Sequence, residues 1–313
     1  AVTGVQTCAL PISFQPIDLA EHDKNITQLI QVLTLIDEFE PLRRSEPILV
    51  IGGGVLLDVV GLACAVFRRG SPYIRVPTTL LGQVDAGIGL KTGVNFGRGK
   101  NRLGAYHPPL ATILDSQFLS TLPARQLANG LAEMIKVAIA CDGALFASLE
   151  AYLNTGSRDL SRGEALEHLV DRAAASMVAE LSANPFEAEL ARTVDFGHSF
   201  GPAIELEESL GLLHGESVAI DASLSSAIAL ERGILSTSDF KRIRDLILGA
   251  GLPVDHVGIT AEQLFQGLLQ ATRHRNGKQN LPVPHSCGGV TFVQDCTVDE
   301  VVRALELIRR GHA

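Results

Sequence analysis

Residues 47–51, PILVI, run directly into residues 52–58, GGGVLLD. A short apolar run that ends in glycines is typical of a buried strand. The pattern of residues 58–67 is helical, and residues 73–76 form a second apolar run. Strand, glycine turn, helix and strand make one βαβ unit, and strands joined in this way lie parallel in an α/β sheet. The sequence therefore predicts an α/β domain in the first half of the chain.

Outside this βαβ unit, helical patterns predominate over strand-like ones. Helical periodicity occurs first at residues 25–39, and strand-like runs recur at residues 111–114 and 290–293. At 313 residues, two domains are expected. We predict an α/β domain at residues 14–124 and a mainly α-helical domain at residues 125–313. The helices predicted for the second domain are residues 126–153, 162–181, 215–232, 236–250 and 261–273.

Composition excludes several classes of partner. The net charge of −9 and the pI near 5.5 argue against nucleic acid and against an anionic membrane surface. No run of eighteen apolar residues occurs, so no membrane span is predicted. The five cysteines contain no CxxC pair, which favours reduced thiols and a cytoplasmic location.

The first thirteen residues, AVTGVQTCALPIS, have a separate origin in our interpretation. From Val2 to Ile12 they equal the translation of a common sequencing-adapter string. We therefore expect genuine protein to begin near Phe14 and the first domain to be N-terminally truncated.

The glycine turn at residues 52–54 has two possible interpretations. Glycines allow backbone N–H groups to approach a pyrophosphate, and the N-terminus of a helix favours that negative charge. A tight turn between strand and helix explains the same residues, because the stretch departs from the GxGxxG pattern.

Residues 89–109, GLKTGVNFGRGKNRLGAYHPP, show almost no regular periodicity and are interpreted as a loop. The basic and amide side chains among its glycines suit an anionic, oxygen-rich ligand such as a sugar phosphate. A solvated basic loop is the alternative. The charged run at residues 273–278, RHRNGK, is by default a solvated face, although its Asn276-Gly277 turn could reach a phosphate.

Three residues form a candidate metal site. Glu133 lies three residues before Lys136 in an apolar helix, and a buried carboxylate needs a cation. His198 and His214 lie in glycine-flanked segments. Two histidines and a glutamate are the ligand pattern of an open catalytic metal site. A surface salt bridge and two ordinary histidines remain the alternative.

Together these segments resemble the dehydroquinate synthase superfamily from about Asp18 onward. Six motifs occur in the family's order, namely GGGVLLD, RVPTTLLGQVDAGIGLKTGVN, GKNRLGAYHPP, NGLAEMIK, DFGHSF and LHGESVA. The resemblance implies a Rossmann-like NAD-binding domain followed by an α-helical metal- and substrate-binding domain, with the active site in the cleft between them.

The resemblance also implies roles for individual residues. The metal ligands, for Zn²⁺ or Co²⁺, are Glu133, His198 and His214. The NAD contacts are Glu21, Lys24, Gly52, Gly53, Gly54, Val55, Asp58, Thr78, Thr79, Lys91, Lys100, Phe118, Leu119, Ser120 and Thr121. The residues around the substrate are Asp58, Asp85, Lys91, Lys100, Asn101, Lys136 and Asp195.

Three departures from true dehydroquinate synthases look like the sedoheptulose 7-phosphate cyclases of the same superfamily. Pro202 stands where a second histidine completes a GHxxGH pattern, Asp195 replaces an asparagine, and Met177 replaces a lysine. The implied reaction converts sedoheptulose 7-phosphate to 2-epi-5-epi-valiolone with loss of phosphate. Its steps are transient oxidation by NAD, elimination, reduction and intramolecular aldol closure. We also expect a homodimer.

Alternatives within the superfamily are a 3-dehydroquinate synthase or a sibling cyclase that makes 2-epi-valiolone or desmethyl-4-deoxygadusol. A metal-dependent alcohol or glycerol dehydrogenase would instead produce net NADH. A non-catalytic metal- or nucleotide-binding protein is a further alternative, which metal-dependent phosphate release would exclude.

Overall fold

The structure is a computed structural model, and it describes residues 12–97, 99–154, 163–205 and 207–311. Residues 1–11 of the adapter-like segment 1–13 lie outside the described residues, as does Arg162, the predicted start of one helix. By internal contacts the chain forms two compact units. One contains the described residues up to Arg75 together with Leu90–Ala111. The other contains Val76–Gly89 and the described residues from Thr112 onward.

The first unit is built on the predicted glycine turn. Strand β1 spans Ile48–Gly52, and helix α2 spans Gly54–Val66 with Gly53 as its N-cap. The helix thus begins four residues earlier than predicted. Helix α1, Ile26–Phe39, confirms the helix predicted at residues 25–39. Asn25 is its N-cap, and the Asn25 side chain accepts hydrogen bonds from the backbone N–H groups of the first turn.

The sheet of this fold has three strands in the order β1-β2-β5, where β2 is Tyr73–Pro77 and β5 is Ala111–Thr112. In the first unit, the core is formed by the apolar faces of α1 and α2 with Val50 and Tyr73. The strand, helix and strand predicted for residues 47–76 are therefore confirmed.

The prediction that residues 89–109 form an irregular loop is wrong. Strand β3, Lys91–Phe96, pairs antiparallel with strand β4, Gly99–Tyr106. Gly93 lies opposite Gly104, and a Cβ on Gly104 would lie 2.4 Å from the Thr92 carbonyl oxygen. A strand is normally recognised by side chains that alternate between apolar and polar. Because glycine has no side chain, this alternation is missing at the centre of the hairpin.

The second unit is mainly helical, as predicted. The predicted helix at residues 126–153 is in fact two helices, because Asp142 breaks the run and its side chain accepts the N–H groups of Ala144 and Leu145. A hairpin of β6, Leu281–Ser286, and β7, Gly289–Val293, lies among the helices. The helices are α3 Ala124–Cys141, α4 Gly143–Asn154, α5 Glu164–Ser182, α6 Gly201–Glu205, α7 His214–Glu231, α8 Thr237–Gly249, α9 Ala261–His274 and α10 Val298–Arg310.

A large apolar core fills this helical unit, with α7 packed against α3 and α10. Within the part of the chain that the structure describes, no helix is long and apolar enough to cross a membrane. The domain limit predicted at residues 124 and 125 stays a prediction.

Candidate metal centre

Helix α3 buries a carboxylate and an ammonium group side by side. Glu133 has no solvent exposure, Lys136 is 2% exposed, and Lys136 Nζ lies 2.5 Å from Glu133 Oε2. A surface ion pair was the alternative for these residues. The structure instead places both charges in the interior, where a carboxylate is stable only beside cations or donors.

Both candidate histidines face this carboxylate. His214 is the first residue of α7, and its Nε2 lies 3.1 Å from Glu133 Oε1. His198 Nε2 lies 3.8 Å from the same oxygen. One ligand atom from each of the three residues lies within 4.8 Å of the others. The structure therefore brings together three side chains that are far apart in the sequence.

The second nitrogen of each imidazole has its own partner. His214 Nδ1 lies 3.2 Å from Glu205 Oε2, and His198 Nδ1 lies 3.3 Å from the Phe196 carbonyl oxygen. Each acceptor favours a proton on Nδ1, so Nε2 is the nitrogen that faces Glu133 and that can bind a metal once it carries no proton. Metal-binding histidines are held in this way, so the residues present fit a divalent cation.

Electrostatics also suits a cation. Burial raises the pKa of Glu133, but Lys136 and the two histidines outweigh burial and hold it well below its usual range. Burial and the Lys136 charge lower the pKa of His198. At neutral pH these two side chains therefore have the anionic and neutral forms that bind metals. Burial lowers the pKa of His214, but the carboxylates of Glu205 and Glu133 have the larger effect and raise this pKa to about 10. A metal and a proton therefore compete for the His214 imidazole.

Three of the residues predicted around the substrate belong to the same unit. Burial lowers the pKa of Lys136, but the charges of Glu133, Asp85 and Asp195 outweigh burial and raise it. Asp85 lies in a single π-helical turn, Gly82–Ala86, a feature frequent at functional sites. Lys136 thus remains an ammonium group with three carboxylates around it.

Several of the predicted NAD contacts pair with one another in the first unit. Lys24 Nζ lies 2.5 Å from Asp58 Oδ2, and both side chains are largely buried. Lys100 Nζ lies 3.7 Å from Glu21 Oε1. The structure therefore gathers four predicted contacts into two ion pairs.

Six further predicted residues of this unit lie on the β3–β4 hairpin or at the glycine turn. Lys91 begins β3 with an exposed side chain. Asn101 has a positive φ of 51°, and its N–H donates to Asn95 Oδ1. Gly52 is tightly confined, since a Cβ there would lie 2.7 Å from Leu56 Cδ2. The other residues of the turn, Gly53, Gly54 and Val55, form the start of α2.

The remaining predicted NAD contacts lie in the helical unit. Thr79 Oγ1 accepts the N–H of Gly82, the first residue of the π-helical turn, and Thr78 directly precedes Thr79. Phe118, Leu119, Ser120 and Thr121 lie in a 3-10 helix, Ser116–Thr121.

Comparison with known proteins identifies the family. The model described as 3-dehydroquinate synthase N-terminal matches residues 15–129, and the model described as 3-dehydroquinate synthase C-terminal matches residues 130–274. The chain belongs to the 3-dehydroquinate synthase family. The resemblance inferred from the motifs is thereby confirmed.

Individual relatives within the family are more specific. The chain is 45% identical to a 2-epi-5-epi-valiolone synthase of an Actinomyces species, over 93% of this chain and 78% of the relative. Among solved structures it is similar to the 2-epi-5-epi-valiolone synthase ValA of Streptomyces hygroscopicus subsp. jinggangensis with NAD⁺ and Zn²⁺ bound. That match has a TM-score of 0.90 and 43% identity, and covers 94% of this chain and 82% of the other.

A 2-deoxy-scyllo-inosose synthase complexed with carbaglucose-6-phosphate, NAD⁺ and Co²⁺ has a TM-score of 0.74 at 22% identity. The match covers 93% of this chain and 81% of the other, and supports the fold alone. The predicted α/β and helical fold class is confirmed by these comparisons.

Sequence reasoning missed three polar residues near the metal centre. Glu205 contacts His214, and Asp221 is fully buried in α7. Arg275 was expected on a solvated face, which is wrong. It is 6% exposed, and its Nη2 lies 3.3 Å from Asp195 Oδ2. Only Asp221 had a usable signal, because a lone carboxylate in a run of small and apolar helical residues needs partners.

The three residues that differ from the pattern of dehydroquinate synthases, Asp195, Pro202 and Met177, lie in different environments. Arg192 and Arg275 both form ion pairs with Asp195. Pro202 lies exposed in the short helix α6, and Met177 is 1% exposed in α5. A methionine suits that apolar position, whereas a lysine there would need a buried counter-charge.

Proposed function

We propose that this protein is an NAD- and metal-dependent cyclase that converts sedoheptulose 7-phosphate to 2-epi-5-epi-valiolone and releases phosphate. The observation that carries the proposal is the buried cluster of Glu133, His198 and His214 in a chain 45% identical to 2-epi-5-epi-valiolone synthases. The relative ValA has NAD⁺ and Zn²⁺ bound. The homodimer and the cytoplasmic location expected from the sequence remain predictions.

Glu133, His198 and His214 are the residues that would hold the metal. Bound NAD supplies a hydride acceptor and donor, and a bound divalent cation supplies a Lewis acid for a sugar oxygen. The protein contributes ligands already oriented by Glu205 and by the Phe196 carbonyl. This orientation lowers the cost of binding, because the imidazoles need not be ordered when the metal arrives.

Lys136 is the group suited to stabilise negative charge. Its ammonium lies in the interior beside Glu133, and its raised pKa keeps it protonated at neutral pH. In a site from which water is excluded, a fixed cation stabilises a developing oxyanion or a departing phosphate more strongly than it does in water. Lys91 and Lys100 are proposed as further cations for the phosphate.

Asp195 is proposed as a determinant of substrate choice. Arg192 and Arg275 hold its carboxylate, which can then accept hydrogen bonds from hydroxyl groups. An ionised Asp195 only accepts hydrogen bonds, so it cannot donate to the carboxylate of the dehydroquinate precursor as an asparagine could. Sedoheptulose 7-phosphate has no carboxylate, and its hydroxyl groups can donate to Asp195.

Phosphate release tests the proposal. The protein is supplied with NAD⁺, Zn²⁺ and either sedoheptulose 7-phosphate or the dehydroquinate precursor, while free phosphate and NADH absorbance are followed. We expect phosphate from sedoheptulose 7-phosphate without accumulation of NADH. Preference for the dehydroquinate precursor, or stoichiometric NADH, would overturn the proposal.

A pair of histidine variants provides the matched control. His198→Ala removes a candidate ligand and is expected to abolish phosphate release. His168→Ala removes an exposed histidine of α5 and is expected to leave the activity unchanged.

A further inference from the structure

Helix α7 contains a carboxylate that is fully buried. Asp221 has no solvent exposure, and its Oδ2 accepts the backbone N–H groups of Ser199, Phe200 and Gly201 at 2.7, 2.6 and 2.7 Å. Its Oδ1 accepts the hydroxyl of Ser225 at 3.1 Å. Burial raises the pKa of Asp221, and the three amides oppose this effect because they stabilise the ionised form. Three short amide hydrogen bonds that converge on one oxygen are the geometry of an ionised acceptor, and such bonds are about twice as strong as neutral ones.

The amides belong to the segment that directly follows His198. This segment lies unusually close to α7 at both ends. Gly197 has a φ of +79°, and a Cβ there would lie 2.9 Å from Val218 Cγ1. A Cβ on Gly201 would lie 3.3 Å from the Ser217 carbonyl oxygen. The glycines therefore allow the close approach, and the Asp221 carboxylate holds the segment there.

One helix consequently controls both imidazoles of the candidate metal centre. His214 is the first residue of α7, so its position is set directly by the helix. Asp221 follows two turns later, and it fixes the backbone next to His198. A metal site requires its ligands within about 0.5 Å of the productive geometry, so the support of His198 is as important as its presence.

We propose that Asp221 is a positioning residue, which holds His198 in the orientation that binds the metal. The proposal rests on the proposed function only in taking Glu133, His198 and His214 as ligands. Without the carboxylate, three buried N–H groups lose their acceptor and the segment must move to find others. Loss of such outer partners typically weakens metal affinity about 10- to 100-fold.

The test compares Asp221→Ala with Asp221→Asn. Asparagine can turn its carbonyl oxygen to the three amides and its NH2 group to the Ser225 hydroxyl, so it keeps the geometry with a weaker, neutral acceptor. We expect Co²⁺ to bind the alanine variant about 10- to 100-fold more weakly than wild type. The asparagine variant should be intermediate. The visible spectrum of bound Co²⁺, which reports ligand geometry, should change most in the alanine variant.

Ser226→Ala is the matched control, because Ser226 is equally buried in α7 but donates only to the Ala222 carbonyl oxygen. Its Co²⁺ affinity should equal that of wild type. The proposal is overturned if folded Asp221→Ala, judged by circular dichroism, binds Co²⁺ with the wild-type affinity and spectrum. If the alanine variant does not fold, weaker binding by Asp221→Asn supports the proposal and unchanged binding overturns it.

Phosphate release from the wild-type protein separates this proposal from the proposed function. A wild type that binds Co²⁺ but releases no phosphate contradicts the cyclase function and leaves the role of Asp221 standing. An active wild type whose Asp221 variants bind Co²⁺ normally contradicts only the positioning role.

Discussion

Substitution of Lys136 by methionine should destabilise the metal-free protein strongly. The change keeps a side chain of similar length but leaves the fully buried Glu133 carboxylate without the ammonium that lies 2.5 Å away. Removal of one partner of a buried ion pair costs about 3–5 kcal/mol. We expect the lower end of this range, because His214 also donates to Glu133 and compensates part of the charge.

Bound metal should reduce this penalty. A divalent cation held by Glu133 replaces the lost positive charge, so the stability gap between variant and wild type should narrow by about 1–3 kcal/mol, a typical coupling energy between sites. Because metal binding and folding are thermodynamically linked, the variant should then bind the metal more tightly than wild type. A narrowing of the stability gap by this amount corresponds to about 5- to 150-fold in affinity.

Urea unfolding followed by circular dichroism, in EDTA and in saturating Zn²⁺, measures both effects. The double variant Glu133→Gln/Lys136→Met should cost less than the sum of the single variants, because neither charge of this ion pair is then left buried without the other. Arg310→Met, which removes an exposed ion pair with Glu306, should change the free energy of unfolding by less than about 1 kcal/mol. The reasoning is refuted if Lys136→Met is as stable as this control in EDTA, or if Zn²⁺ does not narrow the gap.

Three further predictions concern other side chains. Glu205→Gln should weaken Zn²⁺ affinity roughly 10- to 100-fold in a competition titration with a chelator, and unchanged affinity would exclude its role in orienting the histidine. Asp195→Asn should lower kcat/KM for sedoheptulose 7-phosphate roughly 10- to 100-fold without changing Zn²⁺ affinity, because the partner of Arg275 is lost. Burial raises the pKa of Asp142, but hydrogen bonds from Arg172 and from the next helix outweigh it and lower the pKa to about 2. Since this folded-state value is depressed, the stability advantage of wild type over Asp142→Asn should be complete above about pH 4 and should disappear as the pH falls toward 2. Thermal unfolding across that range checks this, and a constant difference would contradict it.

The sequence predicted the parts of the fold that depend on local chemistry. The glycines at residues 52–54 follow an apolar run and precede a helix, so the turn was recognisable without a structure. The β3–β4 hairpin was not recognisable, because Gly93 and Gly104 face each other at its centre and remove the alternation of side chains. Periodicity fails wherever close backbone approach requires glycine.

The candidate site shows the same division. Glu133, His198 and His214 were identified as a set through motif order, although 65 and 16 residues separate them along the chain and only the fold brings them together. Asp221 and Arg275 were missed because their importance lies in their contacts. An arginine in a charged run gives no sign that it is buried against a carboxylate.

The most direct test of the central claim is identification of the product by NMR after incubation of the protein with sedoheptulose 7-phosphate, NAD⁺ and Zn²⁺. The proposed function predicts a phosphate-free carbocycle, 2-epi-5-epi-valiolone, together with one equivalent of free phosphate and no net NADH. A product that retains its phosphate or its open chain, or that forms with stoichiometric NADH, would contradict it.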